Sequence, residues 1–444
     1  MFGLQNWALA LTAALSVVQQ TVARPTEVHP GSAKDIVLNS HDTLNGTTGG
    51  VFNTPNAGNS TGGFKITVTN NIASGLKCYV TGQDPNKNKA PAMLQNDGTW
   101  YYPTSSGEVG TPQPITADVG IPMNDKGQTT DIQIPGYLIS ARVWFAVGDL
   151  QFFAIANADG TYSVAQPSES NTADPSAGVS WGFIEFDYEE ESGLYANISY
   201  VDFVGLPLGM SLTNSTGAVQ TALGLPSTAV TSICGDLKTQ AGKDGKPWDK
   251  LCQSINGTTL RVLSPYTYMM VPGNTGFDDY FSDYVDKVWE QYSSTGLTIL
   301  PQNGNPNATC TVSGETLDCP GDNKNYTKPS SADIFGCNTG PLTVDNDVDT
   351  AIHKAAVPRL CAAFHRATFL LDGGDVQPSL GAKSYYTADV GNFYSQIIHK
   401  YEVDGKGYAF SYDDVNPEGN ENASGSVSSK SPTLMTVTVG GPTE

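Results

Sequence analysis

The chain has 444 residues, with 23 Lys or Arg against 44 Asp or Glu and a formal charge of −21. That balance excludes the basic face that neutralises phosphate, so nucleic acid is not an expected partner, and it disfavours adsorption to an anionic bilayer. Charged residues make up only 15% and hydrophobic ones 39%. This points to a β-rich globular protein, long enough for two or three domains of ~100–200 residues each.

In chain order, Met1-Phe-Gly-Leu-Gln-Asn-Trp7 leads into an apolar run ending at Val18, and Thr21-Val-Ala23 offers a small-residue cleavage site. Residues 1–23 are therefore expected to be a signal peptide, too short to span a bilayer comfortably, although the segment lacks Lys and Arg. Residues 24–62 are rich in Gly, Ser, Thr, Asn and Pro without periodicity, which is the composition of a flexible leader or propeptide. Phe64-Lys-Ile-Thr-Val-Thr-Asn70 alternates strictly and predicts a half-buried strand. Tyr137 to Val147, a Gly148-Asp149 turn and Leu150 to Ile155 predict a hairpin. Gly182 to Glu189 and Leu194 to Asp202 predict a second hairpin around Ser192-Gly193.

The character then changes. Tyr280, Phe281, Tyr284, Val285, Val288, Trp289 and Tyr292 recur at helical spacing within 277–292, an aromatic stripe that reads as core. A helix from about Asp349 to Ala356 is followed, after Pro358, by a run to Leu371 that either continues it or starts another. A further helix is expected over 390–400, and strands return at 407–412 and 434–439. The last strands are expected to rejoin the first sheet. The resulting division is a β-unit over 63–213, completed by about 405–444, around a mixed α/β unit over 214–404.

Eight Asn-x-Ser/Thr acceptors, at Asn45, Asn59, Asn197, Asn214, Asn256, Asn307, Asn325 and Asn422, fit a secreted glycoprotein. Six of the seven cysteines cluster as Cys234/Cys252, Cys310/Cys319 and Cys337/Cys361, while Cys78 stands in an apolar strand. Three local bridges and one buried thiol are expected, although spacing alone leaves the connectivity open. The five histidines are scattered and no spacing suits zinc, so no metal or other cofactor is expected.

Without a GxSxG elbow or a glycine-rich phosphate loop, the chemistry falls to carboxylates. Glu185, Asp187 and Glu189 alternate and share one face of a strand. Lying between Ile184 and Phe186, Glu185 is placed to keep a proton and act as a general acid. Asp202 is expected on the partner strand, on the face of Tyr200 and Ile198. Acidic strand faces are more often simply solvated, and these residues alone do not decide between the two readings.

The order of short motifs does. Phe183-Ile-Glu-Phe186, Asn197-Ile-Ser-Tyr-Val-Asp202 and Gly205-Leu-Pro-Leu208 resemble the hairpin that lines the acidic cleft of thaumatin-like proteins. Phe335-Gly-Cys-Asn338, Arg359-Leu-Cys-Ala-Ala-Phe-His-Arg366 and Asp404 to Val415 extend the likeness over roughly 63–440. As a whole the chain resembles glycoside hydrolase family 64, secreted β-1,3-glucanases built on that cleft. The resemblance implies a mainly β fold, with a thaumatin-like barrel or sandwich and a mixed α/β domain flanking a wide groove. It also implies endo-hydrolysis of β-1,3-glucan to short oligosaccharides by an inverting two-carboxylate mechanism, with Glu185 as general acid and Asp202 as general base. Asp187 and Glu189 are candidate sugar contacts. Arg142 and Trp144, on one strand face, are further candidates, with an ion pair in the cleft an equal alternative for Arg142. Where the cleft pattern has a first Asp, this chain has Asn197, which must be unmodified or turned away if the groove is to stay open. The expected protein is a monomer, extracellular or in the cell wall, without membrane or nucleic-acid partners. A wall protein that binds β-glucan without turnover is the competing reading, and a purely structural secreted glycoprotein a third.

Overall fold

The computed structural model describes residues 63–72, 74–302, 305–345, 348–418 and 423–442; the expected signal segment and leader lie outside them. Two antiparallel-rich sheets form the β part. The first runs Val219–Ala222, Leu208–Asn214, Pro432–Val439, Phe64–Asn70, Thr129–Ile134. In it Phe64–Asn70 pairs in parallel with Pro432–Val439, so the two ends of the described chain meet as expected. The second runs Val427–Ser429, Gly193–Ile198, Ser180–Glu189, Leu138–Val147, Leu76–Asp84, Ala90–Leu94, Trp100–Tyr101. Ile121–Pro122 pairs on Leu76–Asp84 beside it.

Alternation decides what each face meets. Phe64, Ile66 and Val68 are buried, and Phe64 packs edge-on against Phe186 (5.8 Å) and Tyr188 (5.0 Å) of the second sheet. The core of the β part therefore lies between the sheets, each buried aromatic or aliphatic side chain contributing about 1.5–3 kcal/mol. Glu185 is on the other face of Ser180–Glu189, together with Trp181 and Phe183. There Trp144, Trp181, Phe183 and Phe203 form a continuous aromatic cluster with centroid spacings of 4.5–6.3 Å.

Several expectations are corrected. Leu150 to Ile155 does not fold back on Leu138–Val147, because both edges of that strand are taken by Leu76–Asp84 and Ser180–Glu189. Phe153–Ala156 instead joins Tyr162–Ala165 and Gln113–Pro114 in a small separate sheet. The expected strand at 407–412 is a single bridge, Ser199 with Tyr408, followed by turns. Beyond the bridge the ladder stops, because Ala409 N donates to Asp413 Oδ2 at 2.9 Å and Asp413 N turns back to Phe410 O. Pro358 lies within one helix, Ala351–Arg366, N-capped by Thr350 and closed by Ala367 at φ 52°. The aromatic stripe begins with a turn, and its helix is Ser282–Tyr292, with Tyr284, Val285, Val288, Trp289 and Tyr292 buried. The helix Ala229–Asp244 was not anticipated; only Ala229, Ile233 and Leu237 are buried on it, too few to mark a stripe.

The three disulfides are Cys234–Cys252, Cys310–Cys319 and Cys337–Cys361, with Cys78 free and buried. Among the described residues, no helix is long and apolar enough to cross a membrane.

Candidate active site

Three neighbouring strands build the polar centre. In register, Glu185 faces Arg142 of Leu138–Val147 on one side and Asn197 of Gly193–Ile198 on the other. Directly opposed side chains in such strands are ~5 Å apart at Cβ, so these three must interact. Arg142 Nη2 and Nε donate to Glu185 Oε1 at 2.9 and 3.2 Å, and Nη1 donates to Gln166 Oε1 at 2.8 Å. Asn197 Nδ2 donates to Glu185 Oε2 at 3.4 Å. The guanidinium lies over Phe183, 4.3 Å from the ring centroid.

The setting of Glu185 differs from the one its neighbours in sequence suggest. Ile184 and Phe186 point into the inter-sheet core, so the carboxylate, on the opposite face, meets a guanidinium and an amide. Glu185 is 5% exposed and Asn197 is 0% exposed. Asn197 therefore turns into the site, with no room for a glycan, and its buried Oδ1 has no partner among the described residues.

Asp202 comes from off the sheet. The strand ends at Ile198, not at Asp202, because the chain is drawn away: Tyr200 N donates to Tyr408 O and Tyr394 Oη donates to Tyr200 O at 2.6 Å. Asp202 sits at the following bend, its carbonyl accepting from Ser264 N at 2.8 Å, before Phe203–Val204 pairs with Leu263 and Val262. Burial first, and then the charge of Glu169, push its carboxyl up to about 7; Arg142 opposes this and Glu185 adds to it. Burial likewise raises Glu169. Glu185, Asp202 and Glu169 thus form one electrostatic cluster around Arg142.

The other expected contacts have structural duties. Asp187 Oδ1 accepts from Ser140 N at 2.6 Å, where the pairing bulges and Ser140 has φ 47°. Glu189 Oε2 accepts from Ser192 Oγ at 2.8 Å within the hairpin turn. Both remain partly exposed on the face of Glu185. Trp144 is corrected: it is 1% exposed, its Nε1 donates to Thr81 Oγ1, and it forms the aromatic floor, leaving no ring face for a sugar. Of the two possibilities for Arg142, the ion pair is the one formed. Glu169 and Gln166 carried no signal in a Ser- and Pro-containing stretch without periodicity.

Cys337, Cys361 and His365 place potential ligand atoms within 4.8 Å of one another, but the sulfurs are joined as a disulfide. Burial lowers His365 to about 3, and the neutral ring fits its contacts: Nε2 donates to Ile334 O at 2.7 Å and Nδ1 accepts from Asn392 Nδ2 at 2.8 Å. That cluster is a packing element.

The site thus holds a guanidinium-bound glutamate on the sheet and, at a bend beyond it, an aspartate whose carboxyl is pushed up to about 7. The family-64 glycoside hydrolase model, described as β-1,3-glucanase, matches residues 62–439, and the chain belongs to that family. It is 25% identical over 358 residues, 79% of its length, to the glucan endo-1,3-β-glucosidases of Cellulosimicrobium cellulans and of Arthrobacter sp. (strain YCWD3). The match covers 61% of those proteins, so the chain spans about three fifths of their length. Among solved structures, a laminaripentaose-producing β-1,3-glucanase in complex with laminaritetraose is similar with TM-score 0.73 and 26% identity, covering 85% of this chain and 98% of the other. A family-64 β-1,3-glucanase domain from Clostridium beijerinckii shares the fold with TM-score 0.66 and 21% identity, covering 87% of this chain and 100% of the other.

Proposed function

We propose that the protein is a secreted, monomeric endo-β-1,3-glucanase that releases short oligosaccharides with inversion at the anomeric carbon. The observation that carries this reading is the Arg142-bound Glu185 with Asp202 within its electrostatic reach, in a chain of family 64, one of whose structural relatives is described in complex with laminaritetraose. A thaumatin-like β-unit, 63–213 with 405–444, and a mixed α/β unit, 214–404, flank a wide groove in this account. The apolar N-terminal run and the glycosylation acceptors support secretion.

Glu185 gives a proton to the departing glycosidic oxygen, and Asp202 takes one from a water attacking the opposite face of the ring. Inversion needs ~6.5–9.5 Å between the carboxyls to admit that water. Such a cluster works in the state that holds one proton, and its titrations belong to the group rather than to either residue. The working form has that proton on Glu185, against the leaving oxygen, and Asp202 ionised. Arg142 holds Glu185 in one orientation, and Asp187 and Glu189 contact sugar hydroxyls from the exposed edge of the same face.

The roles separate by leaving group. On β-1,3-glucan, Glu185→Gln and Asp202→Asn should each lose ~10²–10⁴ in rate. On an aryl laminarioligoside, whose phenolate departs without a proton, Glu185→Gln should keep most of its activity and Asp202→Asn should not. The reverse pattern would exchange the two roles, and wild-type activity in both variants would reject the site.

A further inference from the structure

Gln166 stands between two fixed parts of the chain. It follows Tyr162–Ala165, whose last residue pairs with Phe153, and it precedes the buried Pro167, which confines it to extended backbone. The loop beyond, up to Ser180–Glu189, is held by other groups. Arg261, 3% exposed on Thr258–Leu263, donates to the carbonyls of Glu169, Ala177 and Val179 at 3.3, 2.8 and 2.8 Å. Within the loop, Asp174 accepts from the amides of Ser168 and Ser176 at 3.1 and 2.7 Å. The Gln166 side chain is therefore presented from a frame that does not depend on its own hydrogen bond.

That hydrogen bond runs to the site. Arg142 Nη1 donates to Gln166 Oε1 at 2.8 Å, while Nη2 and Nε of the same guanidinium donate to Glu185 Oε1 at 2.9 and 3.2 Å. A guanidinium has donors only, so the amide can meet it with its oxygen alone, and the NH2 group points away. Gln166 is partly exposed, and its Nε2 donates to nothing among the described residues and is open to solvent. Both ends of the planar fork are thus fixed, one by Glu185 and one by Gln166, with the Phe183 ring centroid 4.3 Å away. Glu185 Oε1 takes both bonds from Arg142. Oε2, with only Asn197 Nδ2 at 3.4 Å, is the oxygen left to carry a proton.

We propose that Gln166 binds the glucan and positions the general acid at once: its Nε2 donates to a sugar hydroxyl, and its Oε1 holds Arg142, and through it Glu185, with Oε2 turned to the glycosidic oxygen. This rests on the reading of Glu185 as general acid. The carboxylates of that sheet face accept hydrogen bonds, whereas a sugar hydroxyl both accepts and donates. A hydroxyl that donates to a carboxylate on one side can accept from Nε2 on the other. A glucan hydroxyl on Nε2 pins the amide whose other end fixes the guanidinium, so sugar binding tightens the Arg142–Glu185 pair without touching it.

The test is steady-state kinetics of Gln166→Met, close in length but without the amide, on a soluble β-1,3-glucan and on an aryl laminarioligoside whose phenolate departs without a proton. On the glucan, losing one hydrogen bond at each end of the amide should raise KM ~3–10-fold and lower kcat ~3–10-fold. On the aryl substrate kcat should stay within about twofold of wild type, because no acid is needed there. A merely structural role in the loop would lower kcat on both substrates alike, so equal losses would overturn the proposal, as would an unmoved KM on the glucan. Should Gln166→Met not fold, Gln166→Asn, which keeps the amide but draws it back from Arg142, should show the same split in kcat, and equal losses would again overturn the proposal. Failure of the underlying reading looks different, because Glu185→Gln would then lose activity equally on both substrates or on neither.

Discussion

Replacing Arg142 with Met would leave the Glu185 carboxylate without its cation in a site where the side chains of Arg142 and Glu185 are 20% and 6% exposed. Breaking a buried ion pair from one side costs ~3–5 kcal/mol. Because Arg142 keeps some contact with water, the lower end applies, about 3 kcal/mol. Losing the Gln166 tether adds roughly 1 kcal/mol. Glu185→Gln on its own leaves the guanidinium facing a neutral amide, which still accepts a hydrogen bond and therefore costs less. In the double variant no unpaired carboxylate remains, so the two losses should not add; a coupling of roughly 1.5–2 kcal/mol is expected. Urea unfolding of the four proteins at pH 7, compared at equal m-value, measures it. Additivity within ~0.5 kcal/mol would refute the argument that Arg142 serves mainly to hold Glu185.

His399 donates from Nδ1 to Glu402 at 2.7 Å and from Nε2 to Asp413 at 2.9 Å. Burial opposes its charge, but the two carboxylates outweigh burial and hold it up to about 10, above the ordinary 6.5. That stabilisation should be full below about 6.5 and lost as pH rises through 10, so thermal melts should fall over that window in the wild type and less steeply in His399→Gln. Equal slopes would contradict the assignment. Asn197, at 0% exposure, should carry no glycan when the protein is made in a glycosylating host, whereas Asn256, Asn307 and Asn325 are exposed acceptors; glycopeptide mapping decides this. A Cβ at Gly205 would stand 2.1 Å from the Trp181 carbonyl, so Gly205→Ala should force apart the contact that fixes the chain after Asp202 and lower both melting temperature and kcat. An unchanged kcat would show that Asp202 is placed independently of it.

Regular alternation made much of the fold legible. Phe64–Asn70 and Ser180–Glu189 read correctly because period-2 patterning is a local signal, and it placed Glu185 on the right strand and face. The same rule, applied fully, also predicts that Ile184 and Phe186 cannot surround that carboxylate. Arg142 and Asn197 face Glu185 through a register that only the assembled sheet defines. Asp202 is singled out by motif alone and mislocated by pattern: its strand stops at Ile198 because Tyr394 and Tyr408, some 200 residues later, draw the chain off the sheet. Trp144 was misjudged because burial of an aromatic ring on a polar-containing face depends on Trp181, Phe183 and Phe203 packing over it. Glu169 was illegible, since an irregular loop takes its place from two distant arginines rather than from its own sequence.

The central claim is tested most directly by proton NMR of the nascent reducing ends when the purified protein acts on linear β-1,3-glucan, with the oligosaccharides resolved in parallel. The account predicts short oligosaccharides released with the α-anomer first, before mutarotation, and their disappearance in Glu185→Gln. A β-anomer appearing first would contradict the inverting pair, and binding of the glucan without any release of oligosaccharide would contradict catalysis altogether.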